Sequence, residues 1–213
     1  MNKEIKFEHV LPADIEKRSF EIIGQELKEM GIILPQKEAP ITMRCIHTSA
    51  DFDYARNLLF SEDAIARARE AIKNGASILT DTNMGKSGIN KKRLESFGGQ
   101  VYCFMSDEDV AKKANENGTT RAVASMEKAC QLKEPLIIAV GNAPTALIHL
   151  YELIEEGRIT PELVIGVPVG FVNVEPAKEL IVSQNKVPYI VAKGRKGGSN
   201  IAACICNALL YSL

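Results

Sequence analysis

Apolar and polar positions along the chain switch repeatedly between a helical and an extended period. After Pro12, Ala13 and Asp14, the apolar residues Ile15, Ile22, Ile23, Leu27 and Met30 recur at helical spacing, and Gly31 ends the run. Ser19 falls on that apolar face. The segment ITMRCIH (41–47) reads as a strand. Ser61 then opens SEDAIARAREAIKNG, a helix with acids at its start and Gly75 at its end. SILTD (77–81) reads as a strand, NKKRLESFG (90–98) as a short helix and VYCFM (101–105) as a strand. SDEDVAKKANENG predicts a helix with a capping box from Ser106 to Asp109, and TTRAVASMEKACQL a further helix. The second half repeats the pattern. PLIIAVG, ELVIGVPVGF and PYIVAKG read as strands; NAPTALIHLYELIEEG, VEPAKELIVSQ and SNIAACICNALLYSL read as helices.

The strand runs are continuously apolar, which suits a parallel sheet covered on both faces. The expected fold is α/β: a single doubly wound domain over residues 1–213, with a mostly parallel sheet flanked by helices. At 213 residues and 46% apolar composition, the chain can bury a large core without disulfides or a structural metal. A net charge of −1 gives no electrostatic case for nucleic acid. No apolar run approaches the roughly 20 residues needed to cross a bilayer, so no membrane partner is expected. The opening MNKEIKFEHVLPADIEKR is charged and lacks an apolar signal region. The five cysteines form no CxxC pair, and the expectation is buried, reduced thiols in a cytoplasmic protein.

In open α/β sheets, ligands bind outside the carboxyl ends of the strands. The predicted strands deliver His47, Thr48, Ser49 and Asp51 to that edge. They also bring TDTNMGKSG (80–88), GNAPT (141–145), GVPVGFV (166–172) and GRKGGS (194–199). Arg44, Lys86, Arg121, Arg195 and Lys196 lie near it, and arginine suits carboxylates. Three histidines without an i, i+4 pair make a metal site improbable. No GxSxG elbow, Walker A loop or GxGxxG fingerprint occurs. GRKGGS is at most a generic anion-binding turn. These residues describe an enzyme or binder for an anionic ligand, with His47 as a possible acid–base group. Ser19 is open between a ligand-facing hydroxyl and one bonded back to its own helix. Asp51 and Asp53 are open between capping the next helix and orienting the imidazole.

Five segments in order, IHTSADFDY, TDTNM, GNAPTAL, IGVPVGFVNVEPAKE and GRKGGSNIAACICNAL, resemble the signature segments of the precorrin-8X (cobalt-precorrin-8) methylmutases. The likeness runs from IEKRSF to the C-terminus. It implies an isomerase of cobalamin biosynthesis, moving a methyl group between neighbouring carbons of a tetrapyrrole to give hydrogenobyrinate or cobyrinate. It implies no added cofactor and a homodimer with tetrapyrrole substrate and product as partners. By the same resemblance His47 is the proton donor and acceptor, while Ser19 and Arg121 contact substrate. Thr48, Thr80, Asp81, Asn83, Gly141, Asn142, Thr145, Arg195, Lys196 and Ser199 are the rim candidates for holding the substrate.

Overall fold

The computed structural model describes residues 7–213; the first six residues of the charged opening segment lie outside them. Six strands form one sheet: β1 (Leu58–Phe60), β2 (Ser77–Thr80), β3 (Val101–Tyr102), β4 (Leu136–Val140), β5 (Leu163–Gly166) and β6 (Tyr189–Ala192). Their order is β1-β6-β5-β4-β2-β3. Every pairing is parallel except that of β1 with β6. Successive residues of a strand point to opposite faces, and each face has its own core. Ile78, Ile137, Ala139, Ile165 and Ile190 pack on one side. Leu79, Ile138, Val140, Val164 and Val191 pack on the other.

The first face is covered by α1 (Ile15–Glu29), α2 (Ala39–Ser49), α4 (Ala64–Lys73) and α11 (Ser199–Tyr211). The second is covered by α7 (Glu108–Glu116), α8 (Arg121–Ala129), α9 (Pro144–Glu155) and α10 (Val174–Ser183). Short helices α3 (Tyr54–Asn57), α5 (Asn83–Gly88) and α6 (Lys91–Glu95) complete the chain. The α/β class with a mostly parallel sheet is as expected.

Four local readings are corrected. ITMRCIH is not a strand but the body of α2. Its buried residues are Ile41, Thr42, Cys45 and Ile46, two i, i+4 pairs on one stripe, and Pro40 sits in the first turn, where its missing N–H costs nothing. The strand that fills the first place is β1, three residues long and too short to show a period. On α1 only Ile23 and Leu27 are buried, while Ile15, Ile22 and Met30 lie exposed. The expected capping box does not form. Ser106 instead accepts a hydrogen bond from Asn83 Nδ2, and Asp109, with Asp107, pairs with Lys128 on the neighbouring α8. Likewise α4 begins at Ala64 rather than Ser61, whose hydroxyl accepts the Tyr189 N–H at the start of β6.

Candidate active site

His47 sits in the last turn of α2, just before Ala50 turns left-handed (φ 54°) and stops the helix. The side chain is exposed, with its ring 5.3 Å from that of Phe20 on α1. Among the described residues it has no hydrogen-bond partner. Arg44 lies one turn earlier on the same helix face. Its guanidinium lies over the rings of Phe20 (5.4 Å) and Tyr211 (5.3 Å), and it donates to Glu16 at 2.9 Å. Arg44 and Thr48 form one wall of a groove of about 720 Å³, and Asn200, Cys204 and Tyr211 of α11 form the other.

Thr48 donates to Cys204 Sγ across that groove at 3.1 Å. The thiols of Cys45 and Cys204 are coupled: pairing with Cys45, together with Thr48 and the nearby Arg44 charge, holds the Cys204 thiol down to about 7, while the same pairing and burial push Cys45 well up. All five cysteines are free, but Cys130 and Cys204 are only half-buried, so the expectation of uniformly buried thiols fails for these two. At Cys204 the cause is the groove.

The chain leaving α2 is strapped to the sheet edge. Lys196, in the loop after β6, pairs with Asp51 at 2.6 Å and with Asp53 at 2.5 Å. That pairing lowers the Asp51 carboxyl below its usual range and raises Lys196. Asp51 also accepts the Asp53 N–H at 3.0 Å. Asp53 holds the N-cap position of α3 without making a side-chain cap bond. Neither capping by Asp53 nor orientation of the imidazole describes these acids; they hold Lys196. His47 therefore does reach the carboxyl edge, carried there by a helix terminus and a salt-bridged loop.

The strand order reverses direction between β2 and β4, the place where α/β sheets open their crevice. Here Asp81, 2% exposed, closes the gap. It accepts the backbone N–H groups of Gly141, Asn142 and Ala143 at 2.7–2.8 Å. Burial pushes its carboxyl up, and the three donors pull against that rise. Thr80, also buried, donates to the Thr82 carbonyl. Ser199 shares a 2.7 Å hydrogen bond with Thr82, whose oxygen caps α5 through the Gly85 N–H. Gly141 is required because a Cβ there would meet Ser199 Cα at 2.7 Å, and Gly197 because one would meet the Val167 carbonyl at 2.1 Å. Within GRKGGS, Gly197 thus serves close backbone packing, while Gly194 (φ 70°) and Gly198 (φ 134°) hold positive-φ backbone. Buried Lys178, which burial lowers to about 8, fixes the same loop by donating to the Gly194 and Lys196 carbonyls.

Other candidates face solvent along this edge. Asn142 is exposed, and Asn83 reaches Ser106. Thr145 contacts Thr120 at 3.3 Å. Arg121 makes only a 3.5 Å contact to the Met105 carbonyl and no ion pair among the described residues. Arg195 pairs with Glu175 and covers Phe171. Ser19 donates back to the Ile15 carbonyl at 2.9 Å, the local option of the two left open.

The family model described as "CbiC: Precorrin-8X methylmutase" matches residues 14–212. The chain belongs to that family. Its members are isomerases of cobalamin biosynthesis that shift a methyl group on a corrin precursor. The cobalt-precorrin-8 methylmutase of Priestia megaterium is 44% identical over 94% of this chain and 88% of its own. The precorrin-8X methylmutase of Pseudomonas aeruginosa is 37% identical over 92% and 93%. A crystal structure of precorrin-8x methyl mutase from Thermus thermophilus superposes with a TM-score of 0.83 and 39% identity, covering 93% of this chain and 96% of that one. The groove formed by α2 and α11, of about 720 Å³, carries side-chain donors on both walls. Glu16, Phe20 and Tyr211, which position Arg44 there, were not among the residues expected from sequence. The signal that reveals the site is the i, i+3 spacing of Arg44 and His47, visible once 41–47 is read as helical.

Proposed function

We propose that the chain moves a methyl group between adjacent ring carbons of precorrin-8X or cobalt-precorrin-8, giving hydrogenobyrinate or cobyrinate, with His47 as the proton donor and acceptor. The observation that carries this reading is an exposed imidazole, free of polar partners among the described residues, on the same helix end as Arg44 and Thr48, which line the groove. A protonated ring system is electron-poor, so the neighbouring carbon accepts the migrating methyl more readily. His47 lends a proton for the shift and takes it back afterwards, so the isomerisation is neutral in protons and electrons. A positioned acid of this kind contributes roughly 10²- to 10⁴-fold. The remaining acceleration comes from holding the macrocycle in the reactive geometry. Arg121, without an ion pair among the described residues, is suited to a peripheral carboxylate of the substrate, and Asn142, Asn83 and Thr145 supply neutral donors nearby.

The same reading includes a homodimer acting in the cytoplasm. It is supported by exposed apolar side chains in two places: Leu11, Ile15, Ile22 and Met30 on and before α1, and Val169, Phe171 and Val172 in the loop after β5.

The test is a turnover assay with metal-free and cobalt-containing substrate side by side, followed by tetrapyrrole absorption. Conversion by the wild type and its loss in His47→Ala are expected. Undiminished turnover in the variant would overturn the role of His47. Tight coloured binding without conversion would instead identify a corrinoid carrier.

A further inference from the structure

We propose that Lys178, buried on α10, is a positioning residue for His47: it fixes the loop after β6, and that loop, through Lys196, holds the end of α2 in place. The inference deepens the methylmutase reading and rests on it.

The two residues belong to helices on opposite faces of the sheet. α2 packs in the first core and α10 in the second. The loop after β6 joins the two layers at the carboxyl edge. On one side, Lys178 Nζ donates to the Gly194 carbonyl at 2.7 Å and to the Lys196 carbonyl at 2.9 Å. The carbonyl between them, of Arg195, accepts the Gly170 N–H at 3.2 Å. Three successive carbonyls are thus held by α10 and the loop after β5. On the other side, Lys196 Nζ reaches Asp51 at 2.6 Å and Asp53 at 2.5 Å. Those acids follow Ala50, the left-handed residue that ends α2, and His47 occupies the last turn before it.

Burial sets this anchor apart from an ordinary surface tie. Lys178 is 2% exposed and makes no ion pair among the described residues. A buried ammonium is costly, and burial lowers this one to about 8. An apolar side chain of the same length would fill the space at lower cost, but it would leave two carbonyls unpaired and the loop free to shift. The Arg195–Glu175 pair at 3.0 Å ties the same loop to α10, yet both side chains are exposed and screened by water. An acid displaced by about 1 Å loses on the order of 10²-fold in rate, so the placement of Gly194–Lys196 is felt at the imidazole.

The test combines Lys178→Met and Lys196→Met, singly and together. Each single variant is expected to lower kcat roughly ten- to a hundredfold, with KM changed by less than about threefold. Because both act through one bridge, the double variant should fall no further than the lower single. Lys178→Gln keeps a donor on a shorter side chain and should lie between wild type and Lys178→Met, which also covers a Lys178→Met chain that does not fold. The imidazole is read directly, without substrate, since the chain holds three histidines. The His47 Cε1–H NMR resonance should move in both single variants, while that of His149, paired with Glu127 and Glu152, stays in place. Unchanged kcat in the Lys178 variants, losses that multiply in the double variant, or a His47 resonance that is unmoved or moves together with that of His149, overturns the proposal. A wild type that converts neither form of the tetrapyrrole overturns the parent reading instead, and the resonance then still decides whether Lys178 positions His47.

Discussion

Two polar regions lie on the same edge of the sheet and are built on opposite terms. At the β2–β4 crevice the buried polar groups are spent: Asp81 takes three backbone N–H groups, Ser199 shares a bond with Thr82, and Gly141 lets backbones touch. At the end of α2, His47 is exposed without a hydrogen-bond partner among the described residues, and Arg44 is met by a single exposed acid. Buried polar groups cost a great deal when unpaired, so the first region is complete without a ligand. Exposed groups carry no such demand, so the second can stay open for one. Residue type and loop position alone do not distinguish the two roles; burial and bonding do.

Substitutions can break this division. His47→Ala is expected to lower kcat by roughly 10²- to 10⁴-fold while leaving urea stability within about 0.5 kcal/mol. A large stability loss would place His47 among the framework residues. Asp81→Ala should do the reverse, lowering stability by about 3 kcal/mol in urea unfolding, since three buried N–H groups lose their acceptor. If it unfolds like wild type, the crevice is not a keystone. Lys196→Met should free the 51–53 turn and lower stability by less than about 1 kcal/mol. The Asp51 carboxyl is depressed in the folded state, so its contribution is present above the ordinary carboxylate range and fades as pH falls through its lowered value. The difference between wild type and Lys196→Met should therefore shrink in acid. Iodoacetamide at pH 7 should label Cys204 ahead of the other cysteines, more slowly below its value of about 7. Ser19→Ala should change stability by no more than about 0.5 kcal/mol, because its hydroxyl bonds within its own helix.

Most of the architecture was legible because long amphipathic helices and apolar strands announce their periods. The exceptions have physical causes. Residues 41–47 carry the β-branched and apolar content of a strand, yet their burial follows i, i+4 pairs against α11, and packing overrode local preference. Edge strand β1 was invisible because three residues cannot show a period. The location of His47 at the carboxyl edge was right for a different reason than the one given. The element was wrong, and the Lys196 strap, a contact across 143 residues, supplied the placement. At the crevice, the loop composition marked Asp81, Gly141 and Ser199 as site material without revealing that they bind one another.

The sheet ends in its two shortest strands, three residues at β1 and two at β3. An incoming strand from another molecule finds very little exposed backbone to pair with on either side. Growth of the sheet into higher aggregates is thereby frustrated at both margins. Any recognition between copies of this protein is directed away from strand addition.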